Sequence, residues 1–558
     1  MANNWDLETD LVVVGSGAAG MTSALTGSSA GLDTLVVEKA DVFGGTTALS
    51  GGVIWVPTNS LMASANIADS ADDALTYLKH NVGNRVAEAK LASLVEHAPK
   101  MLDLMLAKGF LEVAVFEGFP DYSPEAPGGA QGGRSVEPKV FPGRKLGASL
   151  AQLRRRAALA PGGLVGTMTE LRRLAAVRSN PVELLKAWQV LPRNVWNRLS
   201  GANHLANGAA LVAWLRQALD AQGIPLQLNT ALQEIITEDD AVIGVIVEQR
   251  GASQRIRARK GIVIAAGGFE NNPEMRKRFF GPESTSDYTS GSPQNTGDAI
   301  NAGMAIGAAV DLMDDAWWAP TFMPPGQGPQ IVIFERGKPG NIIVNAGGQR
   351  FANEADPYNE LVKQMQEAHK SGPSALPSYF IFDATYRDRY PLGGMLPGIT
   401  PKRHIDSGFV LRAESLEALA AQAGIDSDGL VKTVARFNAM ARSGKDEDFH
   451  RGESAFDRFS GDPNVTPNPC LGPLDTPPYY AMKLYPGDLG TKGGLLTNEH
   501  AQVVRADGSV VQGLYAAGNS SAAVTGNFYP GAGGTIGPAM TYGYLAALHA
   551  AGQLEAPA

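Results

Sequence analysis

The chain has 558 residues, of which 44% are hydrophobic and 18% are charged. Because soluble domains usually contain roughly 25% charged residues, this composition excludes a disordered chain and predicts several large packed units. The formal net charge of −9 disfavours a nucleic-acid partner. The single cysteine, Cys470, excludes an intrachain disulfide and an iron–sulfur cluster held by thiolates of this chain, and it fits a reducing compartment.

The N-terminal sequence has neither the basic nor the apolar region of a signal peptide, and no apolar run reaches the roughly 18 residues of a membrane-spanning helix. None of the eight histidines belongs to a cluster with metal-ligand spacing. We therefore expect a cytoplasmic protein that does not span a membrane and holds no metal.

The predicted elements alternate between strands and helices. An apolar strand at 11–14 leads into the turn Gly15-Ser16-Gly17-Ala18-Ala19-Gly20 and a helix, and a second strand at 34–37 is followed by Glu38. We predict further strands at 225–228, 241–248, 261–265 and 513–517, and helices at 211–219 and 538–550. Because strand-to-glycine junctions occur at both ends of the chain, this order predicts an α/β fold in which one Rossmann-like domain closes around an insert.

We expect the first part of the Rossmann-like domain at 1–279, an inserted α+β catalytic domain at 280–485, and the C-terminal part of the first domain at 486–558. Within the first part, the segment 144–198 holds 11 basic and 2 acidic residues, interleaved with leucine, valine, methionine and tryptophan. Basic amphipathic segments of this kind bind anionic membrane surfaces. A solvated basic face and an oligomer contact are the alternative interpretations.

Further glycine-rich segments distinguish between two nucleotide cofactors. The first turn and Glu38 fit any dinucleotide, because the glycines admit the pyrophosphate and the carboxylate accepts hydrogen bonds from ribose hydroxyls. A plain nicotinamide dehydrogenase needs no glycine-rich segment beyond Glu38, whereas a flavin would extend along one. These further segments are Gly44-Gly45-Thr46-Thr47, Ser50-Gly51-Gly52, Ala266-Gly267-Gly268 and Gly518-Asn519. The sequence therefore predicts a flavin.

Together with Glu38-Lys39 and Asn295-Thr296-Gly297-Asp298, these segments make nearly the whole chain resemble the fumarate reductase and succinate dehydrogenase flavoprotein superfamily. The resemblance implies a Rossmann-like FAD-binding domain with a catalytic capping domain. It also implies non-covalent FAD, because Gly45 stands where members with covalent flavin carry a histidine. The FAD-binding residues that it implies are Gly15, Ser16, Gly17, Ala18, Ala19, Glu38, Lys39, Gly45, Thr46, Thr47, Ser50, Gly51, Gly52, Ala231, Ala266, Gly267, Gly268, Asp298, Gly518, Asn519 and Ile536.

The inserted domain departs from the fumarate-reducing members at two positions. Tyr358 stands where they have a proton-donating arginine, and Gly490 stands where they have a histidine that holds a substrate carboxylate. Four other segments resemble the 3-oxosteroid 1-dehydrogenases, namely 119–129, 355–358, 486–494 and 527–539. Within these segments, Phe119 and Pro530 depart from the tyrosine and the small residue that are common in that family.

This second resemblance implies FAD-dependent 1,2-dehydrogenation of 3-oxosteroids, as part of steroid degradation. The Tyr529 hydroxyl and the Gly533 N–H would hold the 3-keto oxygen and stabilise the charge that develops there. Tyr358, assisted by Tyr122, would take the proton from carbon 2, while flavin nitrogen 5 would take the hydride from carbon 1. An external, quinone-like acceptor would then remove the electrons.

Two alternatives stay open at this point. A 3-oxosteroid 4-dehydrogenase that acts on 5α-steroids would share the flavin domain and a tyrosine-rich pocket. A flavoprotein without dehydrogenase activity would use its basic segment to dock to a membrane. An apolar sterol-like substrate favours a peripheral membrane contact of 144–198 at the cytoplasmic face, and the sequence leaves the oligomeric state open.

Overall fold

The computed structural model describes residues 5–155, 164–176, 182, 185 and 188–554. In chain order, the strands of these residues are β1 (Leu7–Val14), β2 (Thr34–Val37), β3 (Ile54–Trp55), β4 (Val113–Val115), β5 (Ser135–Pro138), β6 (Phe141–Pro142), β7 (His204–Leu205), β8 (Leu226–Gln227), β9 (Thr230–Glu238), β10 (Ala241–Gln249), β11 (Ala252–Ile264), β12 (Val310–Asp311), β13 (Ala316–Phe322), β14 (Gln330–Ile331), β15 (Asn341–Val344), β16 (Ser378–Phe382), β17 (Leu411–Ala413), β18 (Tyr479–Thr491), β19 (Gly494–Leu495), β20 (Gln502–Val504) and β21 (Val510–Ala516).

The α-helices of the same residues are α1 (Ala18–Ser29), α2 (Ser60–Ser64), α3 (Ala71–Val82), α4 (Glu88–Ala107), α5 (Met168–Ala176), α6 (Val190–Ser200), α7 (Asn207–Ala221), α8 (Pro273–Phe280), α9 (Asp298–Ala305), α10 (Tyr358–Ser371), α11 (Ala384–Arg389), α12 (Lys402–Asp406), α13 (Leu416–Ala423), α14 (Ser427–Ser443), α15 (Ala455–Ser460) and α16 (Ile536–Ala550).

The larger sheet has the predicted Rossmann-like arrangement. The parallel strands follow the order β21, β11, β1, β2 and β8. The β9–β10 hairpin pairs antiparallel with the first half of β11, and β20 pairs antiparallel with β21 at the edge. Alternate residues of β1 face opposite cores, as the two-residue period of a strand requires. Leu11 and Val13 pack beneath α1, α7 and α16, whereas Val12 and Val14 pack toward α8 and α9. The α/β prediction is confirmed.

The first turn shows why glycine is needed at the end of β1. Gly15 has a φ of 108°, and a Cβ there would lie 2.3 Å from the Ala265 carbonyl oxygen. A Cβ at Gly20 would lie 2.0 Å from the Gly15 carbonyl oxygen, so α1 approaches the strand as closely as the backbone permits. These two contacts fix where α1 begins relative to the sheet.

A second, antiparallel sheet forms the inserted domain, in the order β14, β13, β18, β16, β15, with β17 paired to β18. One face packs against α10 and α11, and the other face packs against α13 and α14. Strand β18 continues past residue 485, where the sequence analysis divides the two domains. The exact domain limits stay a prediction.

Where the structure describes it, the basic segment contains most of a 3₁₀ helix at Gly143–Gln152, the helix α5 and most of α6. Parts of it, at 156–163, 177–181, 183–184 and 186–187, lie outside the described residues. Helix α6 is held to the N-terminal side of α5 by Arg193, whose guanidinium contacts the Glu170 carboxylate at 2.6 Å. Among the described residues, every helix is too short or too polar to cross a membrane.

Candidate active site

The carboxyl ends of four parallel strands meet at one edge of the larger sheet. Gly15 follows β1, Glu38 follows β2, Ala266 comes shortly after β11, and Gly518 comes shortly after β21. Ligands of open α/β sheets bind beyond the carboxyl ends of the strands. This edge, which we call the cradle, therefore gathers the predicted FAD-binding residues from both ends of the chain.

The first glycine turn faces the second glycine-rich loop across a gap. A Cβ at Gly45 would have the Gly17 Cα as its nearest neighbour, at 4.0 Å, and the Thr47 hydroxyl accepts a hydrogen bond from the Ala18 N–H at 3.1 Å. Among the described residues, no group accepts the N–H of Gly17 or Ala19. Free amides at a helix N-terminus and a glycine-walled gap fit the diphosphate of a dinucleotide.

Glu38 directly follows β2 at the cradle, and its carboxylate is fixed by its neighbours. One carboxylate oxygen accepts hydrogen bonds from the Ser16 N–H at 3.0 Å and the Ser16 hydroxyl at 2.5 Å, and the other accepts the Ala40 N–H at 2.9 Å. The Thr230 N–H donates to the Glu38 carbonyl oxygen, which brings the adjacent Ala231 to this end of the cradle. The Lys39 ammonium contacts the Asp298 carboxylate and thereby links the cradle to α9.

The loop 44–52 is held by the segment 292–295 and by the start of α7. The Thr46 hydroxyl accepts hydrogen bonds from the Ser292 N–H at 2.9 Å and the Asn295 amide at 3.1 Å. The Gly208 N–H donates to the Ser50 carbonyl oxygen. Gly51 and Gly52 end the loop, and a Cβ at Gly52 would lie 2.5 Å from the backbone of α7.

The remaining predicted FAD-binding residues line the opposite wall of the cradle. A Cβ at Gly267 would lie 2.5 Å from the Asn295 amide, and a Cβ at Gly268 would lie 2.1 Å from the Thr491 hydroxyl. Asn519, next to Gly518, accepts a hydrogen bond from the Trp317 indole N–H at 3.1 Å. Ile536 is the first residue of α16, and no described residue accepts its N–H. The residues of the cradle thus fit FAD.

Three predicted catalytic tyrosines form a triangle of buried rings. The ring centroids of Tyr122 and Tyr358 are 5.7 Å apart, those of Tyr122 and Tyr529 are 5.1 Å apart, and those of Tyr358 and Tyr529 are 5.5 Å apart, all in edge-to-face geometry. All three side chains are buried. Residues that are distant in sequence thus share one phenol cluster.

Burial raises the pKa of each hydroxyl in this cluster. For Tyr358 the two neighbouring phenols add to the increase, and its pKa lies well above the ordinary value of 10. The pKa of Tyr122 also lies well above 10, although the interaction with Tyr358 and the positive charge of Arg336 reduce the increase. A phenolate at Tyr358 therefore needs a compensating positive charge.

Gly533 and Thr535 complete the predicted oxygen-binding site beside Tyr529. The Gly533 carbonyl oxygen accepts the N–H groups of Trp55 and Gly537, whereas no described residue accepts the Gly533 N–H. A Cβ at Gly533 would lie 2.5 Å from the Val53 carbonyl oxygen, so this position admits only glycine without a backbone shift. The Thr535 hydroxyl donates to the Tyr529 hydroxyl at 3.1 Å.

A narrow cavity lies beside Gly518 and Asn519 of the cradle. Its walls include Trp317, Lys492, Gly518, Asn519 and Thr535. The Trp317 ring contacts the Tyr529 ring with centroids 4.8 Å apart. Because Trp317 and Thr535 both contact Tyr529, these two residues separate the cavity from the phenol cluster.

Three functional candidates near the site were missed as such by the sequence analysis. Lys492 places its ammonium 4.7 Å from the Trp317 ring centroid, and burial lowers its pKa to about 8. One oxygen of the buried Glu270 carboxylate has no partner among the described residues. Arg336 is buried behind the phenol cluster. Lys492 falls within the segment 486–494 that resembles the 3-oxosteroid 1-dehydrogenases, but no sequence pattern marks Glu270 or Arg336.

Comparisons with known proteins agree with this geometry. A family model described as "FAD binding domain" matches residues 10–536. The 3-oxosteroid 1-dehydrogenase of Mycobacterium tuberculosis is 47% identical over 98% of this chain and 99% of that protein. The 3-oxosteroid 1-dehydrogenase of Mycolicibacterium smegmatis is 45% identical over 97% of both chains.

Among solved structures, the 3-ketosteroid Δ1-dehydrogenase from Sterolibacterium denitrificans, in complex with 1,4-androstadiene-3,17-dione, matches with a TM-score of 0.94. It is 42% identical, and the match covers 98% of this chain and 100% of that chain. The fold and the cradle define the chain as a flavoprotein of the FAD-binding-domain class, with FAD as its cofactor. Within that class it belongs to the 3-oxosteroid 1-dehydrogenase family.

Proposed function

We propose that this protein catalyses the FAD-dependent 1,2-dehydrogenation of 3-oxosteroids. The observation that carries the proposal is the buried triangle of Tyr122, Tyr358 and Tyr529 beside the Gly533 N–H, which no described residue accepts. The names of the relatives support it, since they describe this activity at 45–47% identity over nearly the whole chain.

Tyr529 and Gly533 hold the 3-keto oxygen. Because the Thr535 hydroxyl donates to the Tyr529 oxygen, the Tyr529 proton is available to donate to another acceptor. The Gly533 N–H has no described acceptor of its own, so it supplies a second donor. Two donors aimed at the oxygen where enolate charge develops acidify the hydrogens on carbon 2.

Tyr358 takes the proton from carbon 2, and Tyr122 assists by exchanging a proton with Tyr358. Bound FAD supplies the acceptor for the hydride that leaves carbon 1. The carbon 1 to carbon 2 double bond forms as these two C–H bonds break, so the steroid is oxidised by two electrons. An external, quinone-like acceptor removes these electrons afterwards.

The test is an anaerobic titration of the purified flavoprotein with androst-4-ene-3,17-dione, followed by product identification. We expect bleaching of the oxidised-flavin absorbance and a 1,4-diene-3-one product. A 5α-reduced 3-oxosteroid, tested in parallel, separates the rival activity, because a 4-ene product without a 1-ene product would identify a 4-dehydrogenase. Flavin that stays oxidised with both steroids would support the flavoprotein without dehydrogenase activity.

We further propose that the basic segment 144–198 is a peripheral membrane contact at the cytoplasmic face. Of the ten exposed large apolar side chains among the described residues, seven lie between 182 and 199. On α6, Trp196 and Leu199 are 59% and 79% exposed, whereas Val190 and Asn194 are buried against the protein. Exposed apolar side chains next to arginines are typical of helices that lie in a membrane interface.

The basic segment 144–198, which we call the arm, also lies against the active site. Met168, at the start of α5, packs on the aromatic cluster that contains Tyr122 and Tyr358, and the Arg172 guanidinium lies 4.5 Å from the Phe459 ring centroid. A steroid that leaves the membrane at the arm would therefore have a short path to the phenol cluster.

The membrane proposal is tested with the double variant Trp196→Asp/Leu199→Asp and co-sedimentation with vesicles that contain anionic lipid. We expect the variant to lose vesicle binding and keep its activity on detergent-dispersed steroid. Ile399→Asp is the matched control, because Ile399 is also 59% exposed but lies far from the arm in sequence. Unchanged vesicle binding would refute the membrane contact, and a loss of an oligomer in the variant would identify a subunit contact instead.

A further inference from the structure

The buried guanidinium of Arg336 forms hydrogen bonds that fix the turn that precedes Tyr358. Arg336 donates from Nη1 to the carbonyl oxygens of Glu354 at 2.6 Å and Asp356 at 3.0 Å, and from Nε to the Val332 carbonyl oxygen at 3.0 Å. Tyr358 is the first residue of α10 and lies two residues beyond Asp356. The direction in which Tyr358 leaves this turn therefore depends on Arg336.

The charge of Arg336 is not neutralised by a direct ion pair. Within the described part of the chain, no carboxylate lies within ion-pair distance of its guanidinium. The nearby Glu354 carboxylate is already paired with Arg350 at 2.7 Å and Arg451 at 3.0 Å. Because the guanidinium bonds only to carbonyl oxygens, its positive charge acts on the groups around it, which include the Glu335 and Asp356 carboxylates.

The effect of this positive charge reaches the phenol cluster. Burial raises the pKa of Tyr122 well above 10, and the positive charge of Arg336 reduces this increase. The Tyr122 ring in turn contacts the Tyr358 ring, with centroids 5.7 Å apart. Burial lowers the pKa of Arg336 itself only to about 10, so the guanidinium stays charged at neutral pH. Arg336 is thus linked to the Tyr122–Tyr358 pair through the backbone and through space.

We propose that Arg336 is a positioning residue that orients Tyr358 and stabilises negative charge on the Tyr122–Tyr358 pair. This inference rests on the proposed function, in which Tyr358 accepts the proton from carbon 2. It explains how a phenol buried among other phenols ionises in an apolar surrounding, because a nearby positive charge stabilises the phenolate and lowers its pKa.

Other charged and titratable groups also face this pair. Tyr529 contacts both rings, the Glu335 and Asp356 carboxylates flank Arg336, and Lys492 lies behind Trp317 on the far side of Tyr529. Glu335 accepts the Ile333 N–H at 3.0 Å, and Asp356 accepts the Gln364 amide at 3.0 Å. The negative charges of these carboxylates weaken the electrostatic effect of Arg336 on the phenol cluster. Substitution of Arg336 is therefore the direct way to measure that effect.

The test compares Arg336→Gln with Arg336→Lys in the FAD-loaded enzyme, by the pH dependence of kcat/KM for androst-4-ene-3,17-dione. In Arg336→Gln we expect the ascending limb of the profile to move to higher pH by about one unit, because the phenol pair loses its cation. In Arg336→Lys, where a charge remains, we expect the limb to stay near the wild-type position although kcat falls. A fit of kcat and KM separately should place the loss in kcat.

Arg387→Gln is the matched control, because Arg387 is also a buried arginine of the inserted domain that bonds mainly to carbonyl oxygens, those of Tyr390 and Leu396 among them. We expect it to leave the pH profile unmoved. An Arg336→Gln profile that falls equally at every pH would overturn the inference and indicate a structural role. If Arg336→Gln does not fold, an Arg336→Lys limb displaced by as much as one unit would overturn it too. A wild-type enzyme that is inactive on the steroid would instead refute the proposed function, and the inference with it.

Discussion

The backbone N–H of Tyr122 donates to the carbonyl oxygen of Pro530 at 3.1 Å. The same oxygen accepts the buried Tyr77 hydroxyl at 2.7 Å. Because Pro530 directly follows Tyr529, this carbonyl ties two corners of the phenol triangle together through the backbone. Proline restricts φ at this position and so stiffens the connection. The departure from the family's small residue at Pro530 therefore adds rigidity where the two tyrosines meet.

Removal of the Tyr358 hydroxyl should abolish proton abstraction without loss of the cofactor. For Tyr358→Phe we expect kcat/KM to fall by about 10²- to 10⁴-fold, the usual contribution of a positioned general base. FAD content should stay at the wild-type level, because the ring lies in the phenol cluster and not in the cradle. Stopped-flow measurement of anaerobic flavin reduction checks this result.

Tyr542→Phe serves as the control for that variant. Tyr542 is equally buried, and its hydroxyl donates to the Lys90 carbonyl oxygen at 3.0 Å within the core of the larger domain. We expect it to cost about 1 kcal/mol of stability and to leave flavin reduction unchanged. If the two variants reduce the rate equally, the assigned role of Tyr358 is wrong.

Thr535→Val should reveal how Tyr529 is oriented. The valine removes the donor that points the Tyr529 proton toward the reactant oxygen, so we expect a loss of about tenfold in kcat/KM. Tyr529→Phe removes the oxygen-binding donor itself and should cost about 10²- to 10³-fold. Steady-state kinetics of both variants, with the product dienone as a binding probe, measure these losses. A larger loss of kcat/KM in Thr535→Val than in Tyr529→Phe would contradict the expected order.

The cofactor should leave the protein when the chain unfolds. Gly45 stands where covalent members carry a histidine, and the segments 15–19 and 44–52 around the gap contain no histidine, cysteine or tyrosine. We expect acid precipitation to release all the flavin into the supernatant as FAD. A fluorescent protein band after denaturing electrophoresis would contradict non-covalent binding.

The sequence predicts those features that depend on local patterns. The Gly15 turn, Glu38 and the motif tyrosines are marked by neighbours within a few residues. Strand β11 shows where such patterns fail. The sequence predicts only its continuous apolar end, from residue 261, whereas the strand begins at Ala252. Its first half alternates between buried and exposed residues and pairs with β10 as a hairpin, which a search for buried parallel strands does not detect.

Arg336 illustrates a second limit of sequence reasoning. Its partners lie on a turn about twenty residues away, and its effect on Tyr122 depends on the packing of the inserted domain against the larger domain. No local pattern encodes such a relation. Glu270 is similar, because its partner Asn295 and its neighbour Asp488 come from separate parts of the chain.

Glu270 should make the stability of the protein depend on pH. Burial, together with the negative charge of Asp488, raises the pKa of this carboxyl to about 8, so the folded protein holds a proton there that the unfolded chain releases near pH 4.5. Stability from a group with a raised pKa is fully present below the unfolded value and is lost as the pH rises through the folded value. Glu270→Gln keeps a neutral side chain at every pH. We therefore expect its free energy of unfolding, relative to that of the wild type, to increase by on the order of 2–4 kcal/mol as the pH rises from about 5.5 to about 8.5.

Urea unfolding of the holoenzyme at these two pH values measures that gain. Glu367→Gln is the control, since the Glu367 side chain is 74% exposed and should show the same difference from wild type at both pH values. The Asn295 amide donates to one Glu270 oxygen at 2.7 Å, and a glutamine oxygen accepts the same hydrogen bond, so the substitution changes the titration more than the packing. Stability curves of Glu270→Gln and wild type that run parallel with pH would show that Glu270 does not hold its proton in the folded protein.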